Sequence, residues 1–487
     1  METAVMTTVA VQPRAGRSLL WALHPGVLVR SDCGGTGRCG KCRVTVIGTD
    51  GRKEVLACQY FPDQPVTVEV RPWDPLRGRR SPEFQKLRSW LKEMERPRPE
   101  VGRAVDFGTT TIAVAVADTA KHRVLYRYDY LNPQLGLGSD IMTRITNLEQ
   151  VQSLDFTGRL RDRRTQVSRR RAAVVTANTV MAHFLWDRDP SGLGSYPYRS
   201  ELELGRPIAG YNRRLRQRVW MPPLLGSFVG SDCTSAIVAA GLTRTRQLSL
   251  LVDAGTNGEV VLGNRERLLV ASTAAGPAFE GATLECGGLA EPGSIVRVRV
   301  GDDGYLVETL RRATPGSICG SGVLSATRAA LNSAELLSNG RIVSSDRITF
   351  FTNPTPALYQ LESVYLSQAD IRQVQVAKAA IAAAIRLLLE AWPARAEDIS
   401  RIHLTGRFGA SVDPVDAVRI GLLPDVPAAR IRRHPDLALL GATRALYRPE
   451  MREAMTAAPA VCTELDLSTH PRFEEVFVQA MELAPWC

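Results

Sequence analysis

The sequence of 487 residues predicts an α/β protein in which a small β-rich unit precedes a larger unit built from two similar halves. One observation behind this prediction is a series of short strand-like runs around a glycine-rich cluster of cysteines. The other is a repeated strand–turn–strand unit, VGRAVDFGTTTIAVAVAD at 101–118 and LSLLVDAGTNGEVVLGN at 248–264. Such a duplication predicts two similar lobes that face one another across a cleft.

The β-rich unit is predicted over residues 1–72. Its strand-like runs are TVAVQP, CRVTVIG, EVLAC and PVTVEV, and RSLLWALHPG predicts a short helical turn that ends at Pro25 and Gly26. Residues 73–100 are rich in proline and arginine, which predicts a linker with a short helix over Glu83–Met94.

The two lobes are predicted over residues 101–247 and 248–487. Each repeated unit is followed by a third strand, HRVLYRYDYL in the first copy and RLLVASTAA in the second. Single short strands are predicted further on, AAVVTAN and SFVGSD in the first copy and RIHLTGRFG in the second. Helices are predicted over Ser321–Ala334 and Gln375–Glu390, packed on the faces of the sheets.

Four cysteines form the first candidate site. The segment SDCGGTGRCGKC places three of them at C-x5-C-x2-C, and a fourth follows in EVLACQ: they are Cys33, Cys39, Cys42 and Cys58. Four thiolates from one short glycine-rich segment favour a 2Fe–2S cluster, although this loop is one residue longer than the plant-type spacing. A structural zinc site is the alternative, but such sites usually consist of two CxxC pairs.

The duplicated Asp-x-Gly-Thr turns form the second candidate site. A glycine in such a turn lets the backbone approach a phosphate, and the neighbouring Thr and Asn residues offer donors to its oxygens. The aspartates can hold Mg²⁺ through water. A third glycine turn, LTGRFGAS, follows a strand and is expected beside the adenosine. These turns predict a site for Mg²⁺ and ATP, with Asp106 and Asp253 as catalytic residues and Gly108, Thr109, Thr110, Gly255, Thr256, Asn257, Gly406 and Gly409 as nucleotide-binding residues.

Two further glycine clusters, AAGPAFEGA at 274–282 and GSICGSG at 316–322, each precede a predicted helical run. Helix N-termini favour anions. Tight packing of a helix on a sheet explains the glycines equally well, and the sequence leaves both alternatives open.

Composition restricts the class of partner. The net charge of +11 comes from arginine, yet the chain has no helix-turn-helix signature and no zinc finger, so nucleic acid is not expected. The arginine-rich stretch RLRDRRTQVSRRR predicts a solvated helical face, with a docking surface for an acidic protein as the alternative.

No apolar run reaches 18 residues and no signal peptide is evident, so no membrane span is expected. Of nine cysteines, five are scattered singly, which fits a reducing cytoplasm.

Taken in order, the motifs resemble the reductive activators of corrinoid proteins, in which a 2Fe–2S ferredoxin-type domain is fused to an ATPase of the acetate kinase, sugar kinase, heat-shock chaperone and actin superfamily. The resemblance covers nearly the whole chain. The motifs that carry it are CGGTGRCGKCRVTV, VLAC, VDFGTTTIAVAVAD, NPQLGLGSDIMTRI, FVGSD, LVDAGTNGE, AAGPAFEGA, GSICGSG, DIRQVQVAKAAI, GRFGASVDP and IGLLP.

The resemblance implies a β-grasp ferredoxin-like domain followed by a duplicated ribonuclease-H-like ATPase of the actin and hexokinase type. It also implies an ATP-hydrolysing enzyme that passes one electron from a 2Fe–2S cluster to Co(II) of a corrinoid protein and so regenerates Co(I) for methyl transfer. Its expected partners are that corrinoid protein and an electron-donating reductase. A homodimer is compatible with the resemblance, which does not decide the oligomeric state. Better-known members have an extra middle domain after the linker, which residues 73–100 are too short to contain.

Two other functions remain alternatives. The ATPase superfamily includes kinases, so a redox-linked small-molecule kinase is one of them. The other is an electron-transfer module in which the nucleotide acts only as a switch.

Overall fold

The computed structural model describes residues 6–13, 16–23, 27, 29, 42–48, 51–70, 100–138, 140–157, 160, 173–255, 257–280, 283–354 and 363–486. The chain divides into two compact units. Unit 1 comprises Met1–Asp232 with Ala442–Arg452, and unit 2 comprises Cys233–Gly441 with Glu453–Cys487. The predicted linker helix and nearly all of the arginine-rich stretch at 159–171 lie outside the described residues.

Unit 1 begins with a four-stranded antiparallel sheet of order β1-β4-β2-β3. Its elements are β1 Thr7–Val11, α1 Leu19–Leu23, β2 Arg43–Gly48, β3 Gly51–Leu56 and β4 Val66–Val70. Helix α1 buries its leucines in a small core with inward-facing valines of β2 and β4. The predicted strands and the helical turn are therefore confirmed in type and order.

A six-stranded sheet follows in unit 1, with the order β7-β6-β5-β8-β10-β9. Its strands are β5 Val101–Phe107, β6 Thr111–Asp118, β7 Arg123–Leu131, β8 Ala173–Thr176, β9 Ile208–Asn212 and β10 Gln217–Met221. The helices between these strands are α2 Ile141–Thr146, α3 Leu148–Ser153 and α4 Thr179–Leu185, with 3-10 helices at Pro133–Leu137 and Ser191–Leu193. Helix α5 Ser231–Ala240 follows β10 and lies mostly in unit 2.

Unit 2 contains a second six-stranded sheet of order β20-β19-β11-β12-β13-β21, a three-stranded sheet of order β15-β14-β16 and the pair β17-β18. Its strands are β11 Ser249–Ala254, β12 Gly258–Gly263, β13 Leu268–Thr273, β14 Ser294–Gly301, β15 Gly304–Thr309, β16 Ser317–Ile318, β17 Arg347–Thr352, β18 Ser363–Ser367, β19 Arg401–Thr405, β20 Ile431–Arg433 and β21 Cys462–Glu464. The remaining helices of the described residues are α6 Gly320–Asn332, α7 Gln368–Ala391, α8 Gly406–Gly409, α9 Pro414–Arg419, α10 Leu437–Ala445, α11 Pro449–Ala457 and α12 Phe473–Gln479, with 3-10 helices at Pro277–Glu280, Leu310–Arg312, Ala396–Asp398, Ala428–Arg430 and Ala458–Ala460.

The two six-stranded sheets repeat one topology. In each, the first three strands form an antiparallel meander, and the next two strands in the sheet run parallel to the first. The shared order is third, second, first, fourth, fifth, and each sheet adds one edge strand, β9 in unit 1 and β21 in unit 2. The duplication predicted from the two Asp-x-Gly-Thr segments is confirmed, and this is the ribonuclease-H-like arrangement.

One strand was predicted in the wrong place. SFVGSD contains no strand, and its last residues begin α5 at Ser231. The fifth strand of the first copy is β10, in which Val219 and Met221 are buried. The SFVGSD segment is instead a close crossing of backbones, because a Cβ at Gly230 would overlap the carbonyl oxygen of Ala177.

Helix α7 begins earlier than predicted. The capping box explains this start: Asp370 N donates to Ser367 Oγ at 3.2 Å, and Ser367 N donates to Asp370 Oδ2 at 3.1 Å. From there the helix runs through alanine, isoleucine and leucine and packs on β12 and β13. Each fully buried Ile or Leu in such a core contributes about 1.5–3 kcal/mol.

The two glycine clusters, for which the sequence left two explanations, differ in structure. GSICGSG lies at the start of α6, as predicted, and Cys319 is the N-cap residue of that helix. A Cβ at Gly320 would overlap the carbonyl oxygen of Phe279, and one at Gly322 would overlap that of Ile295. This geometry supports the packing alternative. AAGPAFEGA contains a 3-10 helix at Pro277–Glu280, and no α-helix follows within the described residues 283–293. The prediction that a helical run follows this cluster was therefore wrong.

Within the part of the chain that the structure describes, none of the helices combines the length and the hydropathy needed to cross a lipid bilayer.

We expect Gly320→Ala to lower the free energy of unfolding by about 1–3 kcal/mol or more, because the added methyl group must displace backbone. Gly316→Ala is the matched control, since an added Cβ there meets nothing within 4 Å. Chemical denaturation of both variants measures the difference. Equal stability of the two would contradict the packing assignment.

Candidate functional site

Two of the four predicted cluster cysteines lie in the described part of the chain. Cys42 immediately precedes β2 and Cys58 follows β3, so the β2–β3 hairpin brings them together, and Ala57 N donates to Cys42 O at 2.8 Å. Both are almost completely buried, at 1% and 3% exposure. Cys33 and Cys39 lie outside the described residues.

The sulfur geometry fits metal ligation. The Sγ atoms of Cys42 and Cys58 are 3.2 Å apart, whereas a disulfide bond needs about 2.05 Å. Two thiolates on one tetrahedral metal with bonds of about 2.3 Å lie about 3.8 Å apart. A small outward shift would therefore let both sulfurs bind the same metal ion. Gln59 Nε2 lies 3.7 Å from Cys58 Sγ, as a side-chain donor that can tune the potential of a bound cluster.

Polar side chains form hydrogen bonds to the turn that follows β5. Asn178 Nδ2 donates to Thr109 Oγ1 at 2.8 Å, and Asn132 Nδ2 donates to Gly108 O at 2.9 Å. Thr109 and Thr110 are nearly buried. A Cβ at Gly108 would lie 2.6 Å from Thr111 O, so the turn requires glycine there.

Arg144 is the largest fully buried side chain beneath this turn. Its guanidinium donates to Thr109 O at 2.7 Å, to Gly138 O at 2.9 Å and to Gln134 Oε1 at 3.1 Å. Arg144 and Asn132 both come from the NPQLGLGSDIMTRI motif, whose 3-10 helix is capped by Asn132. The motif thus fixes the backbone of the first turn, a role that its sequence did not reveal.

The turn after β11 is built differently. Gly255 and Asn257 lie between β11 and β12, both partly exposed, and Thr256 lies outside the described residues. Gly406, at the start of α8, adopts φ +81°, and a Cβ there would overlap Asp253 Oδ1. The third glycine turn therefore lies directly against the aspartate of the second. Gly409 has only ordinary neighbours at 3.7 Å or more.

Strand register places a row of four polar residues across unit 2. Thr405 pairs with Asp253, Asp253 with Glu259, and Glu259 with Ser272. Residues directly opposite one another point to the same face of a sheet, with Cβ atoms about 4.5–5.5 Å apart in antiparallel pairs. Glu259 was not among the predicted site residues, although it stands three residues after Thr256 in LVDAGTNGE.

The corresponding row in unit 1 consists of Thr176, Asp106, Ala113 and Asp129. Thr176 Oγ1 donates to Asp106 Oδ1 at 3.2 Å. Both copies therefore place a threonine of the fourth strand beside the aspartate of the turn. Asp106 and Asp253 belong to different units.

His403 lies on β19, two residues before Thr405. Burial, and next the neighbouring His434, lower the pKa of His403 to about 4. Its Nδ1 is 3.0 Å from Nε2 of His434. His403 is therefore neutral at physiological pH and does not offer a positive charge to a phosphate.

Three family models match the sequence. Residues 5–63 match the 2Fe-2S iron-sulfur cluster binding domain, residues 101–245 match the RACo middle region, and residues 247–485 match the C-terminal domain of RACo, the ASKHA domain. The chain belongs to the family of reductive activators of corrinoid proteins. The first of these matches favours a 2Fe–2S cluster over zinc, and the ASKHA match supports ATP as the nucleotide.

Named proteins are similar to this chain over different lengths. The corrinoid activation enzyme RamQ of Eubacterium limosum is 26% identical over 550 aligned positions, which cover 92% of each chain. A [Co(II) methylated amine-specific corrinoid protein] reductase of Methanosarcina barkeri is 29% identical over 226 residues, 42% of this chain and 40% of that protein. The solved structure of a reductive activator for corrinoid, iron-sulfur protein matches with a TM-score of 0.70 at 24% identity, covering 98% of this chain and 96% of that one. This last similarity shows that the present chain has the same fold as that solved structure.

The match to the family's middle region bears on the domain organisation. It covers residues 101–245, which follow the linker and contain the first Asp-x-Gly-Thr turn, so it coincides with the first half of the duplicated fold. The expectation that this chain lacks an extra domain between the linker and that half stays a prediction.

We expect Gly406→Ala to destabilise this activator by about 2 kcal/mol or more, because alanine is strained at positive φ and its methyl group would displace the Asp253 carboxylate. Nucleotide affinity should fall with it. Gly409→Ala is the control for stability, since it adds a methyl group at ordinary contact distance. Thermal unfolding and nucleotide titration measure the two effects, and an unaltered midpoint for Gly406→Ala would refute this geometry.

Proposed function

We propose that the protein uses ATP to pass one electron from a 2Fe–2S cluster to Co(II) of a corrinoid protein, which regenerates the Co(I) needed for methyl transfer. One observation carries this proposal: a buried cysteine pair fit for metal ligation and a duplicated Asp-x-Gly-Thr fold occur in one chain. The names of two relatives, a corrinoid activation enzyme and a corrinoid protein reductase, support it.

The cluster chemistry suits the electron count. When bound, a 2Fe–2S cluster exchanges one electron at a time, which is what Co(II) needs to become Co(I). We assign Cys33, Cys39, Cys42 and Cys58 as its ligands. The hairpin of β2 and β3 keeps two of these sulfurs close and shielded from water, and Gln59 offers a hydrogen bond to one of them. An electron-donating reductase is the proposed source of the electrons.

The nucleotide is assigned to the glycine turns. Gly108, Thr109 and Thr110 in unit 1, and Gly255, Thr256 and Asn257 in unit 2, bind phosphate oxygens, while Gly406 and Gly409 lie beside the adenosine. Asp106 and Asp253 are the residues that would hold Mg²⁺ through water, and their carboxylate oxygens are the donors that this ion prefers. We assign residues 1–72 to the cluster domain, 73–100 to a linker, and 101–247 and 248–487 to the two ATPase lobes.

The energetics limit what ATP can do here. Conformational coupling between two sites amounts to about 1–3 kcal/mol, which shifts a one-electron potential by roughly 40–130 mV. ATP-driven rearrangement can therefore assist a modest uphill step. We place the reaction in the cytoplasm, because Cys286, Cys319 and Cys462 form no disulfide and a reducing compartment suits an iron–sulfur cluster.

We expect Asp253→Asn to leave the visible spectrum of the cluster intact and to abolish ATP-dependent reduction of Co(II), because the variant loses a carboxylate of the nucleotide site. Asp302→Asn, an exposed substitution in unit 2, is the control. Spectroscopy of a corrinoid protein mixed with the reduced activator and ATP follows the appearance of Co(I). Full reduction by the Asp253 variant would overturn the proposal.

We expect Cys58→Ala to lose the cluster while ATP binding stays within about threefold of the wild type, because the cysteine belongs to the separate small core of the N-terminal sheet. Cys462→Ala controls for the loss of a thiol. Iron and sulfide analysis of anaerobically prepared protein provides the measurement. A full complement of iron in Cys58→Ala, or zinc without iron in the wild type, would exclude the ligand assignment.

ATP turnover, measured with the protein alone and with a corrinoid protein added, separates the other two activities. A kinase requires a small acceptor and yields a phosphorylated product. A nucleotide switch binds ATP without turnover. An activator hydrolyses ATP faster when the corrinoid protein is added.

A further inference from the structure

The polar row of unit 2 brings two carboxylates side by side. Asp253 on β11 and Glu259 on β12 are directly opposed across an antiparallel pair, so both side chains extend from the same face. Glu259 is 94% buried, since only 6% of it is exposed. A buried carboxylate beside another one is costly unless cations or proton donors stabilise the pair.

The duplicated fold provides an internal control for this position. In unit 1 the residue opposite Asp106 is Ala113. The two sheets share strand order and pairing direction around this point, so the sheet itself does not require a carboxylate there. The glutamate is therefore a feature of the second copy and not of the shared sheet topology.

The surroundings of Glu259 suit phosphate chemistry. The residue follows the Gly255–Asn257 turn by two positions, and the strand that carries it pairs with β11 up to Ala254 and Gly258. Gly406 fills the space on the other side of Asp253 with backbone alone. Because a glutamate is one methylene longer than an aspartate, Glu259 reaches further from the sheet than its neighbour.

We propose that Glu259 is the catalytic base that orients the water attacking the γ-phosphate of ATP, an inference that rests on the proposed function. In this step the water oxygen forms a bond to the γ-phosphorus, and the bond from that phosphorus to the bridging oxygen breaks. The electron pair of the broken bond leaves with ADP, and a proton of the water passes to the Glu259 carboxylate. Asp253 remains the residue assigned to the metal, so hydrolysis depends on a residue that only the second copy contains.

The test compares Glu259→Gln with Glu259→Asp in the full-length, cluster-loaded protein. Glu259→Gln keeps the size and the hydrogen-bonding capacity of the side chain but removes the base. We expect kcat for ATP hydrolysis to fall about 100-fold or more, while KM and the dissociation constant of a fluorescent ATP analogue stay within threefold. Glu259→Asp keeps the base at a shorter reach and is expected to retain more activity than the glutamine variant.

Glu308→Gln, the same change at an exposed site of unit 2, is the matched control. A kcat for Glu259→Gln within threefold of the wild type overturns the inference. So does a loss of nucleotide affinity as large as the loss of kcat, since that would make Glu259 part of the binding surface. If Glu259→Gln does not fold, Glu259→Ala takes its place, since alanine occupies the matching position of unit 1. A kcat for Glu259→Ala within threefold of the wild type then overturns the inference.

The failure of the proposed function gives a different result. If the wild-type protein does not hydrolyse ATP even with a Co(II) corrinoid protein present, the proposed function fails. If the wild type hydrolyses ATP and reduces Co(II), and the glutamine variant does so equally well, only the role of Glu259 fails.

Discussion

Parallel pairing of the first and fourth strands determines where the chemistry of each sheet lies. In both copies this pairing puts a threonine opposite the aspartate that ends the first strand, Thr176 beside Asp106 and Thr405 beside Asp253. A shift by one residue would turn every side chain of a strand to the other face. Because the residues on either side of the aspartates are buried on both faces of the sheet, such a shift would also turn the carboxylate to the opposite, buried face. The packing of the sheet and the position of the carboxylates are therefore one constraint.

Much of this arrangement is encoded in short local patterns, which is why it could be predicted from the sequence. Buried strands that end in Asp-x-Gly-Thr leave little choice of structure, and their repetition predicted the duplicated topology. The start of α7 and the position of β10 were harder. The first depends on a capping box, Ser367 with Asp370, which precedes the region of clear helical periodicity. The second depends on which of two short apolar segments finds a partner in β8, and that contact is tertiary.

The residues that support the candidate site were less predictable. Arg144 is far from the first turn in sequence and carries no nucleotide motif, yet it holds Thr109 O in place from within the core. Its burial is a property of the folded chain, since arginine is ordinarily a surface residue. Glu259 was overlooked for the opposite reason, because a charged residue that follows a turn usually lies in solvent. Strand register alone shows that it faces Asp253.

Duplication lets one backbone be compared with two sets of side chains. Both copies keep an aspartate beside a threonine, with glycine in the turn, and these are the turns to which we assign the phosphates. What differs is how the turn is stabilised. The first copy uses a buried guanidinium and two asparagine side chains. The second uses close backbone contact at Gly406, where a side chain would overlap the Asp253 carboxylate. A turn held by packed backbone leaves the face of its sheet available for polar side chains, and only the second copy places a glutamate directly beside its aspartate. The two copies thus share an aspartate, a threonine and a glycine, and they differ in the residues around these three.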